Sequence, residues 1–237
     1  MKSNTTGTGV IVDTNGLIVT NCHVVKDVDV VGIKFPEELS KSDIFAEIVD
    51  SNELVDQVLG RVVYTEPQLD LALIRVPHVK SGALTACNME DNRWPTAGQE
   101  VICVGNPDSG DSVVTGVISS VEKMPSIDAY NCLANFDHKY INNTTPTSRG
   151  FSGGPLVNSD GHLIGIHFSG GLNSGSHAIH VNDVKDFIIR GKEFEEEVGK
   201  KCYSFANRKA LGVVLNRMDS GFRVCKFTKN NPLDNEM

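Results

Sequence analysis

A chain of 237 residues can bury a substantial core, and 40% hydrophobic with 22% charged residues is the composition of an ordinary globular protein. A net charge of -8 repels phosphate backbones, which argues against nucleic acid as a partner, and no apolar run reaches the ~20 residues needed to cross a bilayer. The 22 glycines and short Val-rich runs, with few Leu/Ala/Glu-rich stretches, favour an all-β architecture.

Residues 7–36 read as two or three strands. GVIVD and LIVTN flank Thr14-Asn15-Gly16, whose Asn-Gly pair suits a hairpin turn, and VDVVGIKF follows as far as Pro36. From 37 to 60 a charged turn precedes the strand-like IFAEIV, and RVVY and LALIRV lie on either side of Glu66-Pro67. That makes roughly six strands without a long helix, enough for one small barrel. Ser81–Thr96 is polar, holds the only tryptophan, Trp94, and reads as a crossing between two halves. The second half restarts with EVICVGN and SVVTGVISSVE, passes through a looser stretch at 124–140, and continues with PLVN, HLIGIHF and HAIHV. Ser159-Asp160-Gly161 marks a further hairpin. Over 182–200 the pattern turns helical, with Val184, Phe187 and Ile188 on one face, and ALGVVL and GFRVCKF beyond it are strand-like again.

Six cysteines lie at 22, 87, 103, 132, 202 and 225, with irregular spacing and no C-x-x-C pair. All six are read as free thiols, which points to a reducing intracellular compartment. The N-terminal MKSNTTGTGVIV lacks the apolar core of a signal peptide. The histidines have no metal-ligand spacing, and neither a metal nor a cofactor is expected.

The chemistry centres on Arg149-Gly150-Phe151-Ser152-Gly153-Gly154-Pro155-Leu156-Val157. A serine between glycines lets backbone N–H groups converge beside its hydroxyl, as an oxyanion hole requires; the competing reading is a plain Gly/Ser turn. G-x-S-x-G is also the nucleophile elbow of α/β-hydrolases, but that motif joins a strand to a helix, and here a turn and another strand follow. A serine nucleophile needs a base oriented by a third group. His23 follows the strand LIVT, and Asp70 enters the apolar run Leu71-Ala72-Leu73-Ile74, where a carboxylate must face solvent or have a partner. Each taken singly is as well explained by structure. The order His, Asp, Ser, with separations of 47 and 82 residues, is that of the chymotrypsin arrangement.

With these residues in view, the sequence resembles the protease domain of the HtrA/Deg family. The matching stretches are GTGVIVDTNGLIVTNCHVV, LDLALIRV, GQEVICVGNP, VTGVISSVE, YINNTTPTSRGFSGGPLVNSDGHLIGI and HAIHVNDVKDFI, from Gly7 to Ile188. The resemblance implies a trypsin-like domain over 1–181 made of two packed six-stranded antiparallel barrels, about 1–80 and 97–181. A helix and linker would follow over 182–209, then a truncated start of a PDZ-like domain over 210–237. It implies a serine endopeptidase with His23, Asp70 and Ser152 as triad, the N–H groups of Gly150 and Ser152 as oxyanion hole, protein or peptide substrates, and a homotrimer.

Three departures from the family pattern stand out. Phe151 replaces the usual Asn, or the Asp of trypsin, so salt-bridge activation by N-terminal cleavage is not implied. Residues 144–149, Thr-Thr-Pro-Thr-Ser-Arg, replace Asp-Ala-Ala-Ile-Asn-Pro, and residues 37–68 lengthen the His-to-Asp connection. Thr147, Ser148, Ile166, His167 and Phe168 are the expected substrate-binding residues. Because Pro146, Thr147 and Ser148 offer no carboxylate, a small or medium apolar P1 residue (on the acyl side of the cleaved bond) is expected over Lys or Arg; Arg149 raises an acidic-substrate option but reads better as a solvated loop charge. The competing function is a protease-like peptide-binding or chaperone module that has lost turnover.

Overall fold

The computed structural model describes residues 6–36, 44–45, 58–89, 93–107, 110–123, 138–171, 175–206, 213–218 and 221–227. The strand-like IFAEIV therefore falls almost wholly outside the described residues, as does Cys132.

The first half forms five strands: β1 (Val10–Asp13), β2 (Leu17–Asn21), β3 (Val30–Ile33), β4 (Val58–Glu66) and β5 (Leu71–Arg75). They make one antiparallel sheet in the order β1-β2-β5-β4-β3. The turn between β1 and β2 sits where Asn15-Gly16 predicts. Gly16 has φ +86°, and a Cβ there would lie 2.8 Å from the Val76 carbonyl oxygen, so both backbone and space demand glycine.

Strands β2 and β5 are buried on both faces, which is why they read as continuous apolar runs. Period-two alternation sends Leu17, Val19, Leu71 and Leu73 to one side and Ile18, Ala72 and Ile74 to the other. The latter set packs with Val25 and Val76 as the sheet's own core. The former meets Tyr140, Leu163, Ile166 and Ile179 from the second half.

That second half is a closed six-stranded barrel in the order β10-β11-β8-β7-β6-β9. Its strands are β6 (Glu100–Gly105), β7 (Ser112–Lys123), β8 (Lys139–Asn143), β9 (Pro155–Asn158), β10 (Leu163–Gly171) and β11 (Gly175–His180). Its interior is filled by Val101, Cys103, Ile118, Ile141, Phe151, Leu156, Ile164 and Ala178. Strand β8 lies where the sequence looked irregular: KYINN has little apolar signal and is held by pairing with β7 and β11.

The connector is stitched to both halves. Cys87 N–H donates to the Ile11 carbonyl (2.9 Å), and Leu163 N–H donates to the Asn88 carbonyl (2.7 Å). Trp94 stacks on His180 with ring centroids 3.8 Å apart. Helix α1 runs Val181–Ala206. Its buried face, Val184, Phe187 and Ile188, is the one that helical periodicity picks out, and it packs into the core shared by the two halves. Arg190 of α1 reaches Glu66 of β4 at 2.8 Å, an exposed pair worth about 0–1 kcal/mol.

The chain divides into two compact units, Met1–Gly191 and Lys192–Met237. In the second, β12 (Val213–Met218) and β13 (Gly221–Phe227) pair as an antiparallel two-stranded sheet. Among the described residues no helix is long and apolar enough to cross a membrane.

Candidate active site

His23 and Asp70 come together at the end of β2. The 3-10 turn Cys22–Val25 carries His23 off the strand, and a tight turn after β4 delivers Asp70 at the start of β5. Leu69 N–H donates to the Glu66 carbonyl and Asp70 N–H to that of Pro67, closing this turn. Asp70 sits at φ +55°, a left-handed conformation that Asp tolerates better than most residues.

The carboxylate, 3% exposed, grips His23 twice. Oδ1 accepts from the His23 main-chain N–H at 2.9 Å, and Oδ2 lies 2.6 Å from Nδ1. An ionised carboxylate only accepts, so Nδ1 carries the proton and neutral His23 keeps a bare Nε2. The Asp70 carbonyl accepts from Cys22 N–H and from Asn21 Nδ2, both at 3.0 Å, which locks the turn against the His23 segment.

Ser152 is half-buried and held by its backbone against the first half. Thr8 N–H donates to the Ser152 carbonyl at 2.8 Å, Thr8 Oγ1 donates to the Gly150 carbonyl at 2.7 Å, and Thr20 Oγ1 donates to the Thr8 carbonyl at 2.7 Å. Thr20 stands on β2, three residues before His23. Gly153 (φ +85°) presses so closely on Thr8 O and Thr20 Oγ1 that no side chain fits there. One hydroxyl-lined clasp thus ties Gly150 and Ser152 to the strand that carries His23. Nothing in the residue pattern singled out Thr8; only the close approach of its partners reveals it.

The segment before Ser152 turns on Gly150. Phe151 N–H donates to the Ser148 carbonyl at 3.2 Å, and Gly150 has φ +102°. A hydrogen bond from the fourth residue to the first, with positive φ at the third, is the signature of a type II turn. In a type I turn the Arg149–Gly150 peptide would be rotated by about half a turn, so φ at Gly150 reports which way that amide points.

Phe151 is 2% exposed and anchors this turn inside the barrel. Its ring occupies the space a Cβ on Gly105 would need. Packing thus fixes the residue before Ser152, with no need for a charge.

The expected substrate-binding residues divide. Ile166 has no exposure and belongs to the core shared by the two halves, and Phe168 packs on Tyr140 with ring centroids 5.1 Å apart. Ser148 and Arg149 are exposed. Thr147 is buried, its Oγ1 lying 2.7 Å from Ser176 Oγ.

His167 takes a different position from its neighbours. Its backbone pairs with Gly153 and Gly154 at 2.8 and 2.9 Å, and its ring stands edge-on to Phe151 at 6.5 Å. Burial, aided by the nearby His177 and His23 imidazoles, pushes its pKa down to about 4. Its Nδ1 is buried and has no hydrogen-bond partner among the described residues. His177 is fixed at Nδ1 by Asn142 Oδ1 at 2.7 Å, and burial lowers its pKa also.

Cys22, Cys87 and Cys103 carry free thiols. Burial raises all three, Cys87 to about 11 and Cys103 to about 12, with Asp70 adding to the rise at Cys22, so they remain protonated and unreactive. Among the described residues no group of His, Cys, Asp and Glu could hold a metal ion.

Residues 7–166 match the family described as Trypsin-like peptidase domain. The probable periplasmic serine endoprotease DegP-like of Rickettsia conorii is 34% identical over 98% of this chain and 43% of its own length. Periplasmic serine endoprotease DegP of Escherichia coli K12 is 30% identical over 90% of this chain and 40% of its own. The chain thus spans about two fifths of the length of these curated relatives. A solved HtrA-type protease with tripeptide superposes with a TM-score of 0.59 at 22% identity, covering 76% of this chain and 53% of that one.

Proposed function

The chain belongs to the trypsin-like peptidase domain family, and from that premise we propose that it is a serine endopeptidase of HtrA/Deg type, cleaving protein substrates through an acyl-enzyme. His23 takes the Ser152 proton through its bare Nε2 as the hydroxyl attacks the peptide carbonyl, then returns that proton to the leaving amine. Asp70 holds the tautomer and stabilises the imidazolium that forms. The N–H groups of Gly150 and Ser152 receive the developing oxyanion, each donor being worth about 3 kcal/mol in sites of this kind. Water then repeats the sequence on the acyl-enzyme, with His23 again as base.

The observation that carries this reading is the double grip of Asp70 on His23, on the strand to which the Ser152 turn is clasped. The type II geometry at Gly150 supports a formed oxyanion hole. We further propose that the five-stranded sheet is part of a six-stranded barrel like the second. In the same reading β12 and β13 begin a PDZ-like domain, and the active assembly is a trimer, as the HtrA/Deg resemblance implies. Wild-type protein is expected to digest casein and a quenched-fluorescent peptide, and the Ser152→Ala and His23→Ala variants to leave both intact. Hydrolysis that persists in Ser152→Ala overturns the proposal.

A further inference from the structure

Beside Ser152 lies a buried polar group that nothing within the described structure uses. We propose that His167, with His177 behind it, forms an acid-selective P1 pocket, so that the enzyme cleaves after glutamate or aspartate. This inference rests on the serine-endopeptidase reading above and names its substrate class.

The placement follows from the neighbours of His167. His167 pairs through its backbone with the two residues after Ser152 and stands edge-on to the residue before it. It lies within electrostatic reach of both His23 and His177. A P1 side chain leaves the backbone next to the carbonyl that Ser152 attacks, about 3–3.5 Å from the nucleophile, so His167 borders the space that this side chain enters.

The buried hydroxyls of Thr147 and Ser176 have no protons to offer. Ser176 Oγ donates to the Thr145 carbonyl at 2.7 Å, so its contact with Thr147 Oγ1 must be donated by Thr147. Gly170 allows this close arrangement, since a Cβ there would collide with Ser176 Oγ. Recognition of a polar P1 group therefore falls to the imidazoles. Asn142 donates from Nδ2 to Ser120 Oγ at 2.9 Å and accepts from His177 Nδ1, which leaves His177 Nε2 to take up a proton.

Charge decides among polar side chains. The described stretches 138–171 and 175–180 contain one carboxylate, Asp160, in the exposed turn between β9 and β10. They contain Arg149, exposed three residues before Ser152. Within those described stretches a cationic P1 group meets no carboxylate other than the exposed Asp160, and it is repelled by the His23 imidazolium formed during turnover. A carboxylate meets two imidazoles that burial keeps neutral at rest, with His177 adding to the effect on His167, and its arrival favours a proton on either. An apolar P1 residue would pair with neither imidazole.

A peptide library varied at P1, with the full-length protein at neutral pH, should give kcat/KM for Glu or Asp at least tenfold above Val, Ala, Gln and Lys. His167→Val should lower the Glu-to-Val ratio of kcat/KM at least tenfold. His177→Leu should shift the ratio in the same direction, which keeps the test decisive if one variant fails to fold. A preference for Val, Ala, Gln or Lys in the wild type, or an unchanged ratio in both variants, overturns the proposal. Binding separates this from failure of the protease reading. Calorimetry on the Ser152→Ala protein should find product peptides ending in Glu at least tenfold tighter than those ending in Val, and equal affinities refute the pocket even if no turnover exists.

Discussion

Asp70 commits both carboxylate oxygens to His23, so asparagine at this position would keep the shape and reverse the polarity of one bond. An amide N–H facing Nδ1 favours the tautomer with its proton on Nε2, which removes the lone pair the mechanism needs. Asp70→Asn is therefore expected to lower kcat by about 10⁴ with little change in KM, measured by steady-state peptide hydrolysis. A loss below tenfold would mean that His23 is oriented by something else. Two other imidazoles report on stability. His167 and His180 are both held down to about 4, mainly by burial, against about 6.5 in an unfolded chain. The unfolded state thus binds more protons between those values, so stability is full above about pH 6.5 and falls as pH drops toward 4. The urea midpoint should drop between pH 7 and pH 4.5 by the equivalent of a few kcal/mol, and His180→Phe should flatten this dependence. A midpoint constant across the window would contradict it.

Single turns and strands carry the remainder of the site. The Ser148–Phe151 turn depends on one apolar anchor, and Phe151→Ala removes a ring 2% exposed inside the barrel. That substitution is expected to cost about 3–5 kcal/mol in chemical denaturation. It should also reduce activity in the molecules that remain folded, because the turn loses its fixed seat. Gly153 works by closeness. A methyl there would collide with Thr8 O and Thr20 Oγ1 in a left-handed backbone, so Gly153→Ala should cut kcat/KM at least 100-fold, about 2.8 kcal/mol. Thr8→Val tests the clasp from the other side. It removes the hydroxyl bridging Asn106 N–H (2.9 Å) and the Gly150 carbonyl, and kcat/KM should fall about tenfold with the urea midpoint nearly unchanged. Wild-type activity in both variants would show that the clasp does not position Ser152.

Over the whole chain, what could be read from residues and what could not follow one physical line. Strands buried on both faces, such as β2 and β5, announce themselves as apolar runs, and the Asn15-Gly16 and Asp160-Gly161 turns by their demand for positive φ. The helical face of Val184, Phe187 and Ile188 was equally plain, because its 3.6 period has no competitor in a chain of short strands. Strand β8 escaped notice because its pairing partners supply what KYINN lacks. His23, Asp70 and Ser152 stood out through motif and order. Thr8, Gly105 and the surroundings of His167 did not, since each acts through proximity between residues that are not adjacent in the chain, and residue types alone carry no distance. The account rests on Ser152 being the activated nucleophile of this assembly. Its most direct test is reaction of the native protein with a fluorophosphonate, followed by peptide mapping. The account predicts one phosphonyl adduct, on Ser152, abolished by His23→Ala. An adduct on a different residue, or Ser152 left unmodified while peptide hydrolysis proceeds, would contradict it.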